Sequence, residues 1–432
     1  MKPIMTVSSF LCTIACLSVL AETPSVTDLT YRQNWPWSTR VDVDFTLNAS
    51  ETCDIEFLAT YDGCPSNILL RGEAVCGNST AIKPGRAHFS WDPAKAGLAD
   101  KSLPNLRIVA SDPVVASSRT YLVVNLVDGT HEYLADVPEG GWTDEHKTTK
   151  MVFRRIPAGS IRQGADYLSQ LWGFYAGDAL EQFCHYRQVE LTSDFYMAIY
   201  KVTGDQFNKI TGTSGFTGVK PYYYGTYNDI RGAAPAYNWP QTKFAVDPAS
   251  VMGKFRTLVA DRFLIDLPTE GQWEYAVRAG SLADSANGTL LVREGAVVGK
   301  ASGNPFADMT TVSNKLAEAA WCVFSAGVQD TSYHEVGLLK PNDWGLYDVM
   351  GNGTELMLDV RPETLGYRPD AVDPVGVEGA ESGSNHLAGG CRVNDRYLFN
   401  VFFAWRQFAS PTANNFCIRP VIHLNQPRAF AE

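Results

Sequence analysis

The sequence predicts a chain of two parts: an all-β sandwich, followed by a larger α+β domain with little regular secondary structure. Three observations predict this fold class. Residues 25–137 contain short runs in which apolar and polar residues alternate, which is the period of half-buried strands. Residues 151–425 contain few well-signalled helices among segments rich in Gly, Asn and Pro. The connection between them, residues 138–150, is polar and contains glycine, which is typical of a linker.

The N-terminus predicts a secretory signal peptide over residues 1–21. Lys2 precedes an apolar stretch at residues 4–20, which is followed by a small residue, so the segment has a charged start, a hydrophobic middle and a cleavage site. Polar residues within this short stretch disfavour a membrane span, and Thr13 disfavours a lipid anchor through Cys16. No other long apolar run exists in the sequence. We therefore expect an exported protein (periplasmic, secreted or at the cell surface) with no membrane span after signal cleavage.

The strands of the first part are predicted from their alternation. Residues 41–47 place apolar side chains on one face and polar side chains on the other, and residues 55–59 repeat the pattern. Further runs at residues 88–91, 106–110 and 121–126 are separated by Asp, Gly and Pro clusters. Short strands at this spacing predict a small, immunoglobulin-like sandwich. Because it contains no cluster of titratable groups, we expect a spacer or a docking module.

Three helices are predicted in the second part from their N-terminal signals. Thr203 and Thr269 each stand three residues before a Gln, the spacing of a capping box in which two side chains satisfy free backbone amide groups. Asp247 followed by Pro248 predicts another helix start, with a cap and then proline at the first helical position. So few helices in so long a segment indicate an α+β domain with much irregular structure.

The charge and the cysteine spacing argue against two classes of function. The chain has 36 basic and 47 acidic residues, a net charge of −11 and no basic run, so we expect no nucleic-acid partner. No Cys-x-x-Cys pair occurs, so a structural zinc site is not expected. Export permits disulfide bonds among the cysteines.

The sharpest local feature is the segment Gly351-Asn-Gly-Thr-Glu355, which is flanked on both sides by aromatic and apolar residues. Glycine and asparagine tolerate left-handed backbone, so the chain can turn sharply there with carbonyl groups pointing inward. Carbonyl oxygens, the Asn352 amide and the Glu355 carboxylate are hard oxygen ligands that suit calcium. A tight turn in which Glu355 accepts from local amide groups fits the same residues equally well, so the residue types leave both interpretations open.

This segment belongs to a longer string that resembles the formylglycine-generating enzyme, or sulfatase-modifying factor, family. Pro341-Asn-Asp-Trp-Gly-Leu-Tyr-Asp-Val-Met-Gly-Asn-Gly-Thr-Glu355 is similar to the family's Pro-Asn-x-x-Gly-Leu-Tyr-Asp-Met-x-Gly-Asn-Val-x-Glu-Trp. Leu267-Pro-Thr-Glu-Gly-Gln-Trp-Glu-Tyr-Ala276 resembles its Leu-Pro-Thr-Glu-Ala-Glu-Trp-Glu-Tyr-Ala helix.

Further segments resemble the family in the same order along the chain. Residues 195–203 are similar to its Phe-Tyr-Ile-x-x-x-Glu-Val-Thr, with Lys201 in place of Glu. The other matches are Ile156-Pro-Ala-Gly159, Ala320-Trp321, Gly389-Gly390, Arg406 and Arg419. Together the motifs cover essentially all of residues 149–425, and five ordered motifs are far more specific than one.

The resemblance implies an unusual C-type-lectin-like fold for the second part, which agrees with the small number of predicted helices. It also favours the calcium interpretation, because the corresponding family loop binds calcium. The implied ligands of this structural calcium are Asn352, Gly353 and Glu355. The candidates for a pocket lining are Trp321, Cys391, Arg406 and Arg419.

The resemblance also implies that the family's oxidase apparatus is lost. Oxidase members bind copper(I) through two cysteines that follow a Gly-Gly-Ser segment, and thiolates suit this soft ion. Counted from Gly390, the two positions hold Asn394 and Asn400. Amide side chains do not replace copper thiolates, so we expect neither copper nor oxidation of a sulfatase cysteine by the family's mechanism.

Cys391 stands where the family has Ser, beside Arg392. A neighbouring cation lowers the pKa of a thiol and makes it reactive, so Cys391 is a weak candidate for a catalytic residue. Alternatively, Cys391 forms a disulfide bond with Cys417, which the neighbouring positions of these segments in the family would allow.

Two functions remain as hypotheses. The first is a non-oxidase member, a pseudoenzyme, that binds a peptide, protein or glycan through its Tyr- and Trp-rich surface. The alternative is an oxidoreductase of the formylglycine-generating, sulfatase-maturation kind with altered metal ligands. The missing cysteine pair favours the first hypothesis, and the retained surrounding motifs favour the second.

Overall fold

The computed structural model describes residues 23–64, 66–70, 74–77, 81–94, 96, 98, 102–163, 187–233, 236–237, 244–280, 317–321, 332–360, 370–374, 386–390, 406–409, 412 and 415–424. Within these ranges, no helix is long and apolar enough to cross a membrane.

Strands outnumber helices in the described residues. The strands are β1 Ser25–Gln33, β2 Val41–Asn48, β3 Cys53–Asp54, β4 Phe57–Thr60, β5 Ile68–Leu69, β6 Val75–Gly77, β7 Gly85–Trp91, β8 Arg107–Ala110, β9 Val114–Val115, β10 Tyr121–Asn125, β11 His131–Leu134, β12 Lys150–Ile156, β13 Gly159–Gln163, β14 Arg187–Leu191, β15 Phe195–Ala198, β16 Leu264–Asp266, β17 Ala320–Trp321, β18 Met350–Gly351, β19 Glu355–Val360, β20 Ala371–Val372, β21 His386–Gly389, β22 Arg406–Ala409 and β23 Val421–His423. The α-helices are α1 Glu145–Thr148, α2 Gly204–Thr211, α3 Tyr227–Arg231, α4 Val251–Leu258 and α5 Glu270–Val277, and a 3-10 turn covers Ala116–Arg119. The mixed, strand-rich class predicted from the sequence is therefore confirmed.

The first part is built from strands that pack around one apolar core. One antiparallel sheet has the order β1-β2-β7-β6, and a second has the order β5-β4-β8. The alternation predicted for β2 is present, since its apolar side chains are buried and the intervening ones are more exposed. Rings of Phe45, Phe57 and Phe89 join the two sheets, with centroids 4.8 to 6.4 Å apart. The immunoglobulin-like arrangement of this part stays a prediction.

The strand pairing crosses the predicted domain boundary at residue 137. The strand β10, which was predicted within the sandwich, pairs antiparallel with β12 of the second part, and β11 pairs with β10. The predicted linker, residues 138–150, includes α1, in which His146 is buried. Alternation predicts that a strand forms but not the sheet that it joins, because pairing depends on residues distant in the sequence.

A six-stranded antiparallel sheet in the order β11-β10-β12-β15-β23-β16 organises the second part. The C-terminal strand β23 lies between β15 and β16, which come much earlier in the chain. Apolar side chains of this sheet and of α2, α3 and α4 share one core, which includes Phe153, Phe207, Ile230 and Phe255. A separate sheet, β19-β21-β22, carries Glu355 at the start of its first strand. The C-type-lectin-like assignment of this arrangement stays a prediction.

Two of the three predicted helix starts are confirmed. Thr203 and Thr269 cap α2 and α5, and each forms the predicted capping box with the Gln three residues later. The predicted start at Asp247 is wrong, because α4 is capped by Ser250, whose hydroxyl accepts from the Gly253 amide group at 3.1 Å. The Asp247 carbonyl group accepts from the Ser250 amide group at 2.9 Å, so it forms a turn before the helix.

A buried ion cluster joins the first part to the second. Asp54, in β3, accepts hydrogen bonds from the Nη1 and Nη2 atoms of Arg155, in β12, at 2.8 and 3.0 Å. The Nε atom of Arg155 donates to Asp194 at 2.7 Å, and the Ala81 amide group donates to Asp54 at 2.9 Å. Burial raises the pKa of Asp54, but the hydrogen bonds and the charge of Arg155 outweigh burial and lower that pKa below its usual value. A desolvated, bidentate pair therefore connects the two parts.

Replacing Asp54 with asparagine is expected to lower the free energy of unfolding by about 3 kcal/mol, because removing one partner leaves the buried Arg155 charge incompletely compensated. The matched control is Glu56→Gln. Glu56 pairs with Arg262 at 3.2 Å across the same boundary, but both side chains are about half exposed. Its loss should stay below about 1 kcal/mol. Urea unfolding of the full chain measures both values, and equal losses would contradict a central role for Asp54.

Candidate functional site

Three consecutive residues with positive φ form the turn that begins the Gly351–Glu355 loop. Gly351, Asn352 and Gly353 have φ angles of 77°, 53° and 112°, so the predicted sharp turn is present. A Cβ atom at Gly353 would lie 2.4 Å from the Cys417 Sγ atom, and one at Gly351 would lie 2.3 Å from the Trp321 carbonyl oxygen. Close packing and backbone conformation therefore both require glycine at these two positions.

The Asn352 side chain binds the backbone of a neighbouring segment. Its Oδ1 atom accepts from the His334 amide group at 3.0 Å, and its Nδ2 atom donates to the His334 carbonyl oxygen at 3.1 Å. The Asn352 amide group donates to the Trp321 carbonyl oxygen at 3.0 Å. The loop thereby positions both Trp321 and His334, whose rings stack with centroids 3.9 Å apart.

The Glu355 carboxylate lies at the centre of a buried network. It is 1% exposed and accepts from Lys201 Nζ, from Trp273 Nε1 at 2.7 Å, and from the Nε and Nη2 atoms of Arg419 at 2.8 to 3.1 Å. All three donor side chains are buried as deeply as the carboxylate. The segment after β15, the helix α5 and the segment before β23 therefore meet at one carboxylate.

Arg419 and Lys201 extend this network to backbone carbonyl groups. The Nη1 atom of Arg419 donates to the carbonyl oxygens of residues 198 and 199, each at 3.0 Å, and Nη2 donates to that of Tyr347 at 2.8 Å. Lys201 Nζ donates to the Asp348 carbonyl oxygen at 2.6 Å. Burial raises the pKa of Glu355, but the charges and hydrogen bonds of Arg419 and Lys201 outweigh burial and lower that pKa to about 2. The carboxylate is therefore ionised at neutral pH and compensated by two cations.

The loop lies in register with the Gly389 segment. Glu355 pairs with Gly389, and Gly389 pairs with Arg406, across β19, β21 and β22. A Cβ atom at Gly389 would lie 2.7 Å from the Trp273 indole ring, so glycine makes room here for the ring that donates to Glu355. The backbone of the predicted pocket residue Arg406 thus lies two strands from Glu355, while its side chain is outside the described residues.

Cys417 is buried beside the turn. Its amide group donates to the Thr354 carbonyl oxygen at 2.7 Å, and its Sγ atom lies 3.9 Å from the Asn352 carbonyl oxygen. Its predicted disulfide partner, Cys391, lies outside the described residues, so the disulfide bond and the reactivity of Cys391 stay predictions.

Three tyrosines beside the loop form a group that we call the tyrosine stack: Tyr224, Tyr223 and Tyr333. The Tyr223 ring lies 4.1 Å from the Tyr333 ring, at an angle of 20°, and 4.2 Å from the Tyr224 ring. The hydroxyl groups of Tyr223 and Tyr224 share a hydrogen bond of 2.7 Å. Tyr224 is 45% exposed, and the other two are partly exposed. Tyr333 touches the loop, since a Cβ atom at Gly353 would lie 2.9 Å from its ring.

A buried histidine lies just beyond Arg419, in β23. The Nδ1 atom of His423 lies 3.3 Å from the Gln272 side-chain amide, and its Nε2 atom lies 3.3 Å from the Leu267 carbonyl oxygen. Donation from Nε2 to the carbonyl group and acceptance by Nδ1 from the amide satisfy both nitrogen atoms of a neutral ring. Burial lowers the pKa of His423 to about 4; Asp266 raises it and Arg256 lowers it further.

The sequence of the second part matches a known protein family. Residues 142–423, well over half of the chain, match the sequence profile of the FGE-sulfatase family, the sulfatase-modifying factor enzyme 1-like domain. The chain belongs to this family. The membership predicted from the ordered motifs is therefore confirmed, and the second part is called the FGE-like domain below.

Three solved structures are similar to part of the chain. Variable protein 1 of Treponema denticola is 18% identical, with a TM-score of 0.43, and the match covers 63% of this chain and 95% of that protein. PvdO from Pseudomonas aeruginosa is 17% identical, with a TM-score of 0.41 and coverage of 63% and 94%. CarF is 17% identical, with a TM-score of 0.32 and coverage of 63% and 100%. No curated protein was found to match the chain.

Calcium, which the family resemblance implies, does not fit the two predicted side-chain ligands of this FGE-like domain. Both oxygen atoms of Glu355 accept from charged or indole donors, and the Oδ1 atom of Asn352 accepts from His334. Across the ranges that the structure describes, no three His, Cys, Asp or Glu side chains are grouped so that they could hold a metal ion. Calcium binding at this loop, with the Gly353 carbonyl group as a further ligand, therefore stays a prediction that rests on the family resemblance.

The other predicted site residues of the FGE-like domain lie in different surroundings. Arg419 is fully buried in the Glu355 network, whereas Trp321 is partly exposed against His334. That these two residues line a pocket stays a prediction. The positions of the family's copper ligands, Asn394 and Asn400, lie outside the described residues.

Three features of the site were missed in the sequence. Lys201 was noted only as a replacement in a motif, although a charged residue within the apolar run Ile199-Tyr-Lys-Val202 signals a buried ion pair. Trp273 lies in the predicted helix that begins after Thr269, and its Nε1 atom was not considered as a donor. The tyrosine stack had a local signal in Pro221-Tyr-Tyr-Tyr-Gly225.

Acidification from about pH 6.5 to pH 4 is expected to destabilise the protein through His423. The unfolded chain binds a proton on this side chain near its usual pKa of 6.5, whereas the folded chain binds it only near pH 4. Unfolding therefore takes up a proton across this window, and stability falls as the pH falls. At ~1.4 kcal/mol per unit, the contribution amounts to about 3 kcal/mol. Glu355 acts in the same direction, but only between its usual pKa of 4.5 and about 2.

Urea unfolding of wild type and His423→Gln between pH 4 and pH 7 measures this contribution. Glutamine can keep a hydrogen bond but does not titrate, so the variant should lose stability less steeply on acidification, even if it starts lower at pH 7. Equal slopes for the two proteins would contradict the role of His423.

Proposed function

We propose that this protein is an exported, non-oxidase FGE-like protein that binds a peptide, protein or glycan. The observation that carries the proposal is the tyrosine stack, a partly exposed aromatic surface that packs directly on the family's signature loop.

The chemistry of the tyrosine stack suits recognition. A tyrosine ring supplies a rigid apolar face with a polar tip, and such rings are enriched in binding interfaces. The pKa of Tyr223 is raised, first by its hydrogen bond with Tyr224 and then by burial, so its hydroxyl group stays neutral and can donate. Contact of Tyr333 with the loop holds the rings before a partner arrives, which reduces the entropy lost on binding.

The residues at the copper positions support a function other than oxidation. Asn394 and Asn400 stand where oxidase members carry cysteines, and a carboxamide is a poor ligand for copper(I). The Glu355 network is likewise an arrangement of charges that are all compensated, and so it supports a structural role for the signature loop.

The proposal also covers the export of the protein, the fold type of each part and the role of the first part. The charged start, apolar middle and small residue at the end of residues 1–21 support a signal peptide and export. The paired sheets of the first part support an immunoglobulin-like module, and the scarcity of helices supports a C-type-lectin-like FGE-like domain. The Asp54–Arg155 pair holds the first part against the FGE-like domain. This supports a role of the first part as a spacer or as a second binding module.

Protein purified without chelators is expected to contain far less than one copper or iron ion per chain and to consume no O2 with a sulfatase-type cysteine peptide. Elemental analysis and an oxygen electrode measure the two quantities. One metal ion per chain together with turnover would overturn the binding proposal and establish the alternative, an oxidoreductase with altered metal ligands.

The full chain without its signal peptide is expected to bind a member of an immobilised glycan array or of a peptide array through the tyrosine stack. The variant Tyr224→Ala should weaken the strongest hit by at least about tenfold, because a tyrosine in a binding centre contributes ~2 kcal/mol or more. Trp37, which is 88% exposed in the first part, gives the matched control Trp37→Ala. An unchanged affinity of Tyr224→Ala, or no hit on either array, would count against the proposal.

A further inference from the structure

Lys201 places an ammonium group inside the FGE-like domain, in the segment that follows β15. The side chain is 1% exposed and lies between the buried residues Tyr200 and Val202. Its Nζ atom donates to a carboxylate oxygen of Glu355 and, at 2.6 Å, to the Asp348 carbonyl oxygen. Because a lysine is almost never fully buried without a partner, these oxygen atoms account for its position.

The oxygen atoms around Lys201 Nζ are of the kind that a hard metal cation binds. A carboxylate and a backbone carbonyl group are both calcium ligands, and here both come from residues 348–355. The side chain of Asp348 lies in the same buried group and accepts from the Gly337 amide group at 2.8 Å. Burial raises the pKa of Asp348, while the charge of Lys201 opposes this rise. The ammonium group thus occupies a cation's position among the oxygen atoms of the loop.

The charges of this group leave no room for a further cation. Lys201 and Arg419 supply two positive charges, and both form ion pairs with the Glu355 carboxylate. A calcium ion would add two more positive charges to a site without solvent, beside an arginine that cannot lose its proton. Both guanidinium and ammonium groups would then have to move away from the carboxylate.

The sequence supports the same conclusion. Lys201 stands where the family motif has Glu, so this chain carries a cation at a position where the motif carries a carboxylate. The change reverses the charge beside Glu355. A carboxylate at position 201 would leave Arg419 to compensate both it and Glu355, whereas Lys201 adds a second cation of the chain itself.

We propose that the Lys201 ammonium group is a built-in cation that takes the place of a metal ion at the Gly351–Glu355 loop. The loop, and the tyrosine stack that packs on it, therefore form without calcium. A lysine ammonium is a compact point charge, which allows it to substitute for a small cation among oxygen ligands. The substitution removes any dependence of this loop on the calcium concentration.

The wild-type protein provides the first test. Calorimetric titration of the full chain with CaCl2 should give no binding heat, and its Tm in millimolar calcium should differ from that in EDTA by less than about 1 °C. A calcium-dependent rise of the Tm that is abolished in Glu355→Gln would overturn the proposal. Because this measurement needs no variant of Lys201, it does not depend on whether such variants fold.

The reverse substitution provides the second test. Lys201→Glu should have a lower Tm than wild type in EDTA and should gain a rise of at least about 3 °C in saturating calcium. Lys201→Met is the matched control, since it removes the charge without adding a ligand, and its response to calcium should be smaller. If Lys201→Glu is as stable as wild type in EDTA, or responds to calcium no more than Lys201→Met does, Lys201 is not a substitute for a metal ion.

Discussion

A carboxylate that is removed from water must be compensated by hydrogen bonds and positive charges inside the protein. In the FGE-like domain, Glu355 is such a carboxylate. Its two oxygen atoms are bound by Lys201, Trp273 and Arg419, which belong to three segments that are far apart in the chain. Loss of the carboxylate would leave two buried cations without this counter-charge, and this costs more than the ion pairs themselves contribute. The network therefore forms as a unit, and it fixes the strand β15, the helix α5 and the segment before β23 relative to the loop.

The Gly351–Glu355 loop also connects the buried Glu355 network to the protein surface. Asn352 binds both backbone groups of His334 through its side chain, and Gly353 leaves space for Tyr333 and Cys417. The tyrosine stack continues outward from Tyr333 to Tyr224, which is 45% exposed. A surface that is held by buried charges is organised in advance, as the proposed binding role requires.

A second buried ion pair lies where the two parts of the chain meet. Asp54 and Arg155 form a bidentate pair between β3 and β12, and Arg155 also binds Asp194. The strand β10 runs directly from the first part into the large sheet of the second. Both features tie the first part to the FGE-like domain, so a flexible tether is a poor description of their connection.

The sequence by itself determined the family, the two Thr-capped helix starts, the alternation of β2 and the sharp turn at Gly351, because each depends on residues that are neighbours in the chain. A local signal was also available for α3, whose capping box uses Asp229, but it was missed. Only the tertiary structure decided which sheet β10 joins and what Glu355 binds. Glu355 lies 154 positions from Lys201 and 64 from Arg419. The residue types of the loop left open a calcium ligand and a tight turn in which Glu355 accepts from local amide groups. The folded chain places two of its own cations, Lys201 and Arg419, against the buried carboxylate.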